Sequence, residues 1–296
     1  MTKTKLKGNL DEKGAVFLNN YMVRKKLCRL ALYLSVFVIG LLMVAPLVWM
    51  VITSVQPFNN LASVPPKVSF KDINLAFYDE LFRDIRFLQS LKNTSIITIL
   101  STSLSILIGI FAAYAAAFYS YKGKNVMLFS VLSLQMAPAI ALLIPLFMLL
   151  KSFNLIDTYL GLTLTLTVFM TPLAIWMLRG FFRDIPRELE EAARIDGCTR
   201  FGTLWHIMIP LASSGIFATF IFCFISSWNE LLIPLTLSLS KTNTLTLYAS
   251  AFGGLYEVNY GGAAAVSVLS SLPTVLLALV FRRYLVQGLL EGAVKK

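Results

Sequence analysis

The chain has 296 residues, of which 57% are hydrophobic and only 14% charged, with a mean hydropathy of +0.74 and a net charge of +11. A water-soluble domain carries about a quarter charged residues, so a soluble enzyme is excluded and a polytopic membrane protein is expected. His206 is the sole histidine, and Cys28, Cys198 and Cys223 show no CxxC or metal-type spacing. Neither a His-based metal site nor a Ser/His/Asp triad can be assembled from this set.

The first twenty-odd residues carry Lys3, Lys5, Lys7 and Lys13 but lack the short apolar core and small-residue cleavage site of a signal peptide. Residues 1–27 therefore read as a cytoplasmic tail without order of its own. Crossing a bilayer as a helix takes about 20 apolar residues. Six segments qualify: Leu30–Thr53, Ser95–Phe118, Val126–Leu150, Tyr159–Leu178, Leu211–Leu235 and Ala263–Phe281. An even number of spans puts both termini on one side. Nineteen of the 26 Lys and Arg residues lie with the termini, the Lys122–Lys124 loop and the Arg179–Pro210 loop, and seven lie on the other side. The positive-inside rule then predicts a multi-pass protein of the cell membrane, in contact with lipid, with both termini cytoplasmic. The same rule accounts for the net charge without a nucleic-acid partner.

The spans are not uniform. Met136-Ala137-Pro138 and Ile144-Pro145 interrupt the third, and Pro172 sits in the fourth. Proline frees backbone carbonyls that neighbours or a wet cavity must satisfy. These positions read either as structural kinks or as the lining of a passage that changes shape, with Gln135 a polar candidate beside them. Trp228-Asn229-Glu230 stands ahead of Pro234 in the fifth span. An ionisable residue at membrane depth marks a candidate pathway or gate; the other reading leaves Glu230 solvated at the outer interface.

Between the fourth and fifth spans lies a polar island, Arg179–Pro210, with five Arg and five acidic residues. Pro186 suits the first turn of a helix, and Glu188, Glu190 and Glu191 complement the positive end of its dipole. Leu189, Ala192, Ala193 and Asp196 recur at i, i+3, i+4 and i+7 and predict one narrow face of mostly small residues. Gly197 fits a left-handed cap. Thr199 can cap a second helix on which Phe201, Leu204, Trp205 and Met208 form an apolar stripe, closed by Pro210. Two alanines on an exposed face let another protein approach closely. An amphipathic hairpin resting on the membrane fits the same pattern.

Glu191-Ala192-Ala193, then Gly197 after three residues and Ile207-x-Ile209-Pro210 after nine more, resembles the EAA loop of ABC-importer permeases, with Ile209 where that family has Leu. Asp157-Thr158-Tyr159, Gly180-Phe181-Phe182, Ile185-Pro186, Ser227-Trp228-Asn229-Glu230 and the ending Arg283–Leu289 resemble the MalG-type permeases of carbohydrate importers. Leu290-Glu291 departs from the usual Thr-Ala, and Tyr260 stands where Trp is common. The resemblance implies an all-α, six-span type I importer permease. A first accessory helix over 28–53 would precede a core over 92–283, with a coupling loop over 179–210 and a cytoplasmic tail over 284–296. It further implies half of a pore shared with a MalF-type permease, two copies of a MalK-type ATPase, an extracytoplasmic sugar-binding protein and an oligosaccharide substrate.

No Walker A segment is present, so no cofactor is expected on this chain, and ATP with Mg²⁺ would sit on the ATPases. Glu190, Glu191, Ala192, Ala193, Asp196, Gly197, Ile207 and Pro210 are then expected at the ATPase contact. Gln135, Trp228, Asn229 and Glu230 are expected on the pathway or gate, and Gln287 and Gly288 at a C-terminal ATPase contact. The loop Ser238–Gly262, with Phe252-Gly253-Gly254 and Tyr256, would face the binding protein. Two alternatives are a permease for a non-sugar solute and a secondary transporter. The latter calls for inverted repeats and several midplane acids, of which only Glu230 is found.

Overall fold

The computed structural model describes residues 3–63, 65, 67–69, 71–252 and 259–282, with side chains from Lys25 onward. It divides into two compact units, Met1–Thr53 and Ser54–Lys296. Through the first unit runs one helix, α1 (Lys3–Ser54), with Pro46 inside it. The segment expected to lack order is thus helical from Lys3. It holds good helix formers and no proline, so nothing in it stops a helix propagating from the apolar span.

The second unit takes in residues 54–91 as well as the core expected from Lys92. After α2 (Phe58–Leu61) and α3 (Ala76–Arg83), the long helix α4 (Ile85–Phe118) starts at an Asp84 cap that accepts from the Arg86 N–H. α5 (Lys124–Met136) and α6 (Ala139–Ser152) follow, then α7 (Tyr159–Asp184). The island comprises α8 (Arg187–Ile195), α9 (Arg200–Thr203), a π-turn over Leu204–Met208 and α10 (Ile209–Leu211). α11 (Ser213–Trp228), α12 (Leu232–Leu237), α13 (Leu245–Ser250) and α14 (Tyr260–Val280) complete the described residues. Among the described residues, four helices are long and apolar enough to cross a membrane, and six crossings result if each of two bent pairs counts as one.

Three expected elements change shape. The third span is two helices bent by 100° at Ala137-Pro138; proline has no N–H to give and holds Ala137 extended. The fifth span stops at Trp228, because the Glu230 carboxylate caps a new helix by accepting from the Leu232 and Ile233 N–H groups at 2.9 and 3.3 Å. The fourth runs on to Asp184, so Arg179–Asp184 end a helix rather than begin a loop. Pro172 lies inside α7 without ending it.

The core is the contact of α4 with α7, with α11 laid against both. It is close because small residues line it: a Cβ on Gly109 would meet Ala174 Cβ at 3.0 Å and Leu178 at 3.1 Å. In lipid, where hydrophobicity does not drive helices together, close backbone approach and interhelical hydrogen bonds do. Ser105 Oγ donates to the Ser101 carbonyl of its own helix at 2.7 Å and shares that hydrogen with the Thr167 carbonyl of α7 at 3.3 Å, and Ser101 and Ser227 hydroxyls share a bond of 3.0 Å. A buried polar seam therefore stitches α4 to α7 and to α11.

At the end opposite the island, Asp157-Thr158-Tyr159 staples the loop after α12. Asp157, at φ +54°, accepts from the N–H groups of Ser240, Lys241 and Thr242 and from the Thr242 hydroxyl. Thr158 caps α7 at the Gly161 N–H, and the Tyr159 hydroxyl donates to Asn93, whose amide donates to the Lys241 and Asn243 carbonyls. Burial alone would raise the Asp157 carboxyl, but the Lys241 and Thr242 donors outweigh it and hold it at about 2.

Gly109→Val should force α4 from α7 and lower stability by about 1–3 kcal/mol, read by thermal unfolding in detergent. Asp157→Asn should cost about 1.5–3 kcal/mol at neutral pH by weakening charge-assisted bonds. Because the folded carboxyl titrates below its ordinary value of 3.8, its contribution is present above that value and fades as pH falls toward about 2. The gap between wild type and variant should therefore be constant from pH 7 to 5 and close below pH 4.

Candidate functional site

The helix–turn–helix order of the island follows the motif spacing, with Pro186 at the cap position, one before the first helical residue. α8 ends where Gly197 adopts φ +87°, with the Cys198 N–H donating to the Ala193 carbonyl at 2.9 Å. That is a left-handed cap. A Cβ on Gly197 would meet nothing within 4 Å, so backbone conformation alone demands glycine. Thr199 Oγ1 then caps α9 by accepting from the Gly202 N–H at 3.1 Å.

The outward face of α8 differs from the expected one. Glu190 and Ala193 are turned inward, 6% and 4% exposed, whereas Ile195 is 86% exposed. Glu188, Glu191, Ala192 and Ile195 form the exposed stripe, with Leu189 and Asp196 at its edges. The two alanines therefore do not share a free face. The cause lies at the end of α4: the Tyr119 hydroxyl donates to Glu190 Oε1 at 3.1 Å, and the Arg194 guanidinium approaches the same oxygen at 4.0 Å. Tyr119 also receives the Tyr114 hydroxyl at 3.1 Å, its ring lies 4.8 Å beneath the Arg200 guanidinium, and its carbonyl accepts from Lys124 Nζ at 3.0 Å. One tyrosine thus binds α8, α9 and α5 to the end of α4.

The expected apolar stripe of the second helix is split. Leu204 and Met208 are buried with Ala113, Tyr114, Leu178 and Phe182, and Ile207 packs against that cluster. Phe201 and Trp205 are exposed and stacked on each other at 6.2 Å, with Phe111 of α4 stacked on Phe201 at 6.3 Å. Ile207 therefore serves the core, while Pro210 is exposed within α10.

Gln135 and Glu230 line one cavity of about 420 Å³, together with Ala137 at the α5–α6 break and Phe169, Met170 and Pro172 of α7. The broken third span, the proline of the fourth and the acid after the fifth meet there. Trp228 does not join them. It is buried, stacked on Phe224 at 5.6 Å, and its Nε1–H donates to the Ser270 carbonyl of α14 at 2.9 Å. Asn229 is exposed and folds its amide back onto the Ile225 carbonyl. Gln287 and Gly288 lie outside the described residues, as do Gly253, Gly254 and Tyr256.

Residues 105–291 match the family described as binding-protein-dependent transport system inner membrane component. The chain belongs to that family. The chain is 34% identical over 256 residues to the trehalose transport system permease protein SugB of Mycobacterium tuberculosis, covering 84% of this chain and 92% of that one. It is 32% identical over 278 residues to the trehalose/maltose transport system permease protein MalG of Thermococcus litoralis, covering 93% and 99%. A crystal structure of a bacterial ABC transporter importing the polysaccharide alginate shares the fold, with a TM-score of 0.73 at 22% identity over 88% of this chain and 96% of that chain. The fold is that of type I importer permeases, and the protein is a transport subunit of an ABC system.

In this inner membrane component the family match opens inside α4, at Ser105 of the polar seam, and includes the whole island. Tyr119 was not singled out in the sequence; it stands beyond the end of an apolar span and carries no motif. Ile195 is likewise unmarked, because it occupies one of the three unspecified positions between Ala193 and Gly197.

Tyr119→Phe removes the donor to Glu190, and Glu190→Ala removes the acceptor. Each should cost about 1–3 kcal/mol, and their effects should be strongly non-additive in a double-mutant cycle of thermal unfolding, because both sever one bond. Additive effects would mean that the bond does not hold α8.

Proposed function

We propose that this chain is one half of the translocation pore of an ATP-driven, binding-protein-dependent sugar importer, and that α8 is its contact with a cytoplasmic ATPase. The observation that carries this reading is the division of α8. Its inner side is fastened to α4 through Glu190 and Tyr119, and its outer stripe is free for a partner. A helix held that way transmits a push instead of absorbing it. The bias of nineteen against seven basic residues supports a cytoplasmic island and cytoplasmic termini.

The remaining parts follow from the family. A MalF-type permease would supply the other half of the pore. Two MalK-type ATPases would bind ATP and Mg²⁺ and, on closing, swing both halves toward an outward-facing state. An extracytoplasmic sugar-binding protein would deliver the substrate at the far end. There, a cavity of about 770 Å³ is lined by Gln89, Asn93 and Asn243 together with apolar Leu235, Leu239 and Phe252. Sugar as substrate is favoured by relatives named for trehalose and for trehalose/maltose. Within the pore, the cavity of Gln135 and Glu230 supplies an amide and a carboxylate of the kind that hydroxyl groups require.

Co-purification with a tagged chain should recover an ATPase subunit. Gly197→Pro should abolish ATP-driven uptake while leaving the protein in the membrane, because proline cannot adopt φ +87°. Gly197→Ala meets no neighbour and should retain much of it, at a cost of about 1–2 kcal/mol. Uptake of labelled oligosaccharides decides the substrate class; robust uptake of another solute and of none of these would assign the permease to a non-sugar importer.

A further inference from the structure

Four cations gather where α4 turns into α5, and of these only Lys124 takes part in the Tyr119 hub. Lys124 opens α5, Arg179 and Arg183 lie one turn apart at the end of α7, and Arg187 opens α8. The charges of Arg179, Arg187 and Arg183 all bear on the Lys124 ammonium. Lys124 and Arg187 reach only backbone carbonyls, those of Tyr119 at 3.0 Å and Ala117 at 3.5 Å. Ion pairs among the described residues join Arg83 to Asp79, Arg86 to Asp84 and Arg194 to Glu190, and none takes a member of this cluster. Arg179 Nε is buried without a hydrogen-bond partner. That nitrogen is closed to solvent and so to a ligand; the charges open to an anion are those of Arg183 and Arg187, both exposed and without an ion pair among the described residues.

The surroundings specify that anion. Beside the cluster, the turn forms a recess of about 300 Å³ with Ser120, Tyr121 and Asn125 in its lining. Immediately along α5 and α7 the surface becomes apolar and exposed at Val126, Phe129 and Trp176. The Trp176 ring lies 5.8 Å from the Arg179 guanidinium. An exposed Trp beside an Arg that reaches out of an apolar band is the arrangement of a membrane–water boundary. The positive-inside rule explains cations on this side. It does not explain four of them gathered within reach of one another without a carboxylate ion pair among the described residues.

We propose that this cluster binds the phosphate of an anionic phospholipid in the leaflet on the island side, with the acyl chains lying along Val126, Phe129 and Trp176. A lipid so placed would tie the α4–α5 turn to the base of α8. The site would make the protein selective for anionic over zwitterionic lipid, as basic pockets between spanning helices are.

The test is native mass spectrometry of the full chain, purified in detergent with its co-expressed partners and supplied with equal phosphatidylglycerol and phosphatidylcholine. Phosphatidylglycerol should be retained about tenfold better by wild type, and Arg179→Gln with Arg183→Gln should reduce it to the phosphatidylcholine level. Arg83→Gln with Arg86→Gln, at the opposite end of the spans, should leave retention unchanged. Arg179→Lys with Arg183→Lys should keep most of it and shows that loss in the Gln variant is not misfolding. Equal retention of the two lipids by wild type, or full phosphatidylglycerol retention by the Gln variant, would overturn the proposal. Displacement of phosphatidylglycerol by millimolar inorganic phosphate, with phosphate held in its place, would assign the site to a free anion and overturn the lipid.

Discussion

The close contact of α4 with α7 is the constraint on which the rest depends. Gly109 lets the backbone of α4 come within reach of Ala174 and Leu178, and that proximity puts Ser105 Oγ within 3.3 Å of the Thr167 carbonyl. Packing and polar pairing reinforce each other, since a serine hydroxyl in an apolar interior is favourable only when answered. α11 joins through the bond between Ser227 and Ser101, so three of the helices form one body. Its two ends carry different chemistry: a carboxylate staple at Asp157 and a tyrosine hub at Tyr119.

That rigidity gives the island its meaning. Leu204 and Met208 are part of the same buried cluster as Tyr114, Leu178 and Phe182, so the second half of the island is continuous with the bundle. Glu190 fastens the first half to Tyr119. A force on Ile195 and Ala192 therefore reaches α4 and α7 without an intervening flexible link. One bend, of 78°, lies at Ala212 where the island meets α11; the 100° break between α5 and α6, the end of α11 and Pro172 gather around one cavity with Gln135 and Glu230. A packed frame with the α5–α6 break, Pro172 and the end of α11 gathered at one cavity suits a pore half that must move as a unit and still open.

Much of this was legible in the sequence, for physical reasons. Spans were visible because the bilayer demands length and apolarity, and Gly197 was visible because a left-handed cap admits little else. Thr199 was found as a cap on the same grounds. What escaped depended on which way a helix is turned. Spacing placed Ala192 and Ala193 on one strip but could not say which of them the fold would bury; that was set by Tyr119, many residues away in sequence. Trp228 was grouped with Asn229 and Glu230 because they are adjacent, yet a helix end points neighbours in different directions, and its indole N–H found Ser270. Proline marks the third and fourth spans without revealing that Pro138 breaks the third while Pro145 and Pro172 stay inside their helices.

The coupling role of α8 depends on which of its sides is free. In a chain whose native cysteines have been replaced, single cysteines at Ile195 and at Ala193 can be tested for cross-linking to single-cysteine ATPase subunits in membranes. Cross-linking through Ile195→Cys, with little through Ala193→Cys, is the expected result. Efficient cross-linking through Ala193→Cys and none through Ile195→Cys would mean that α8 meets its partner with the face assigned here to the core.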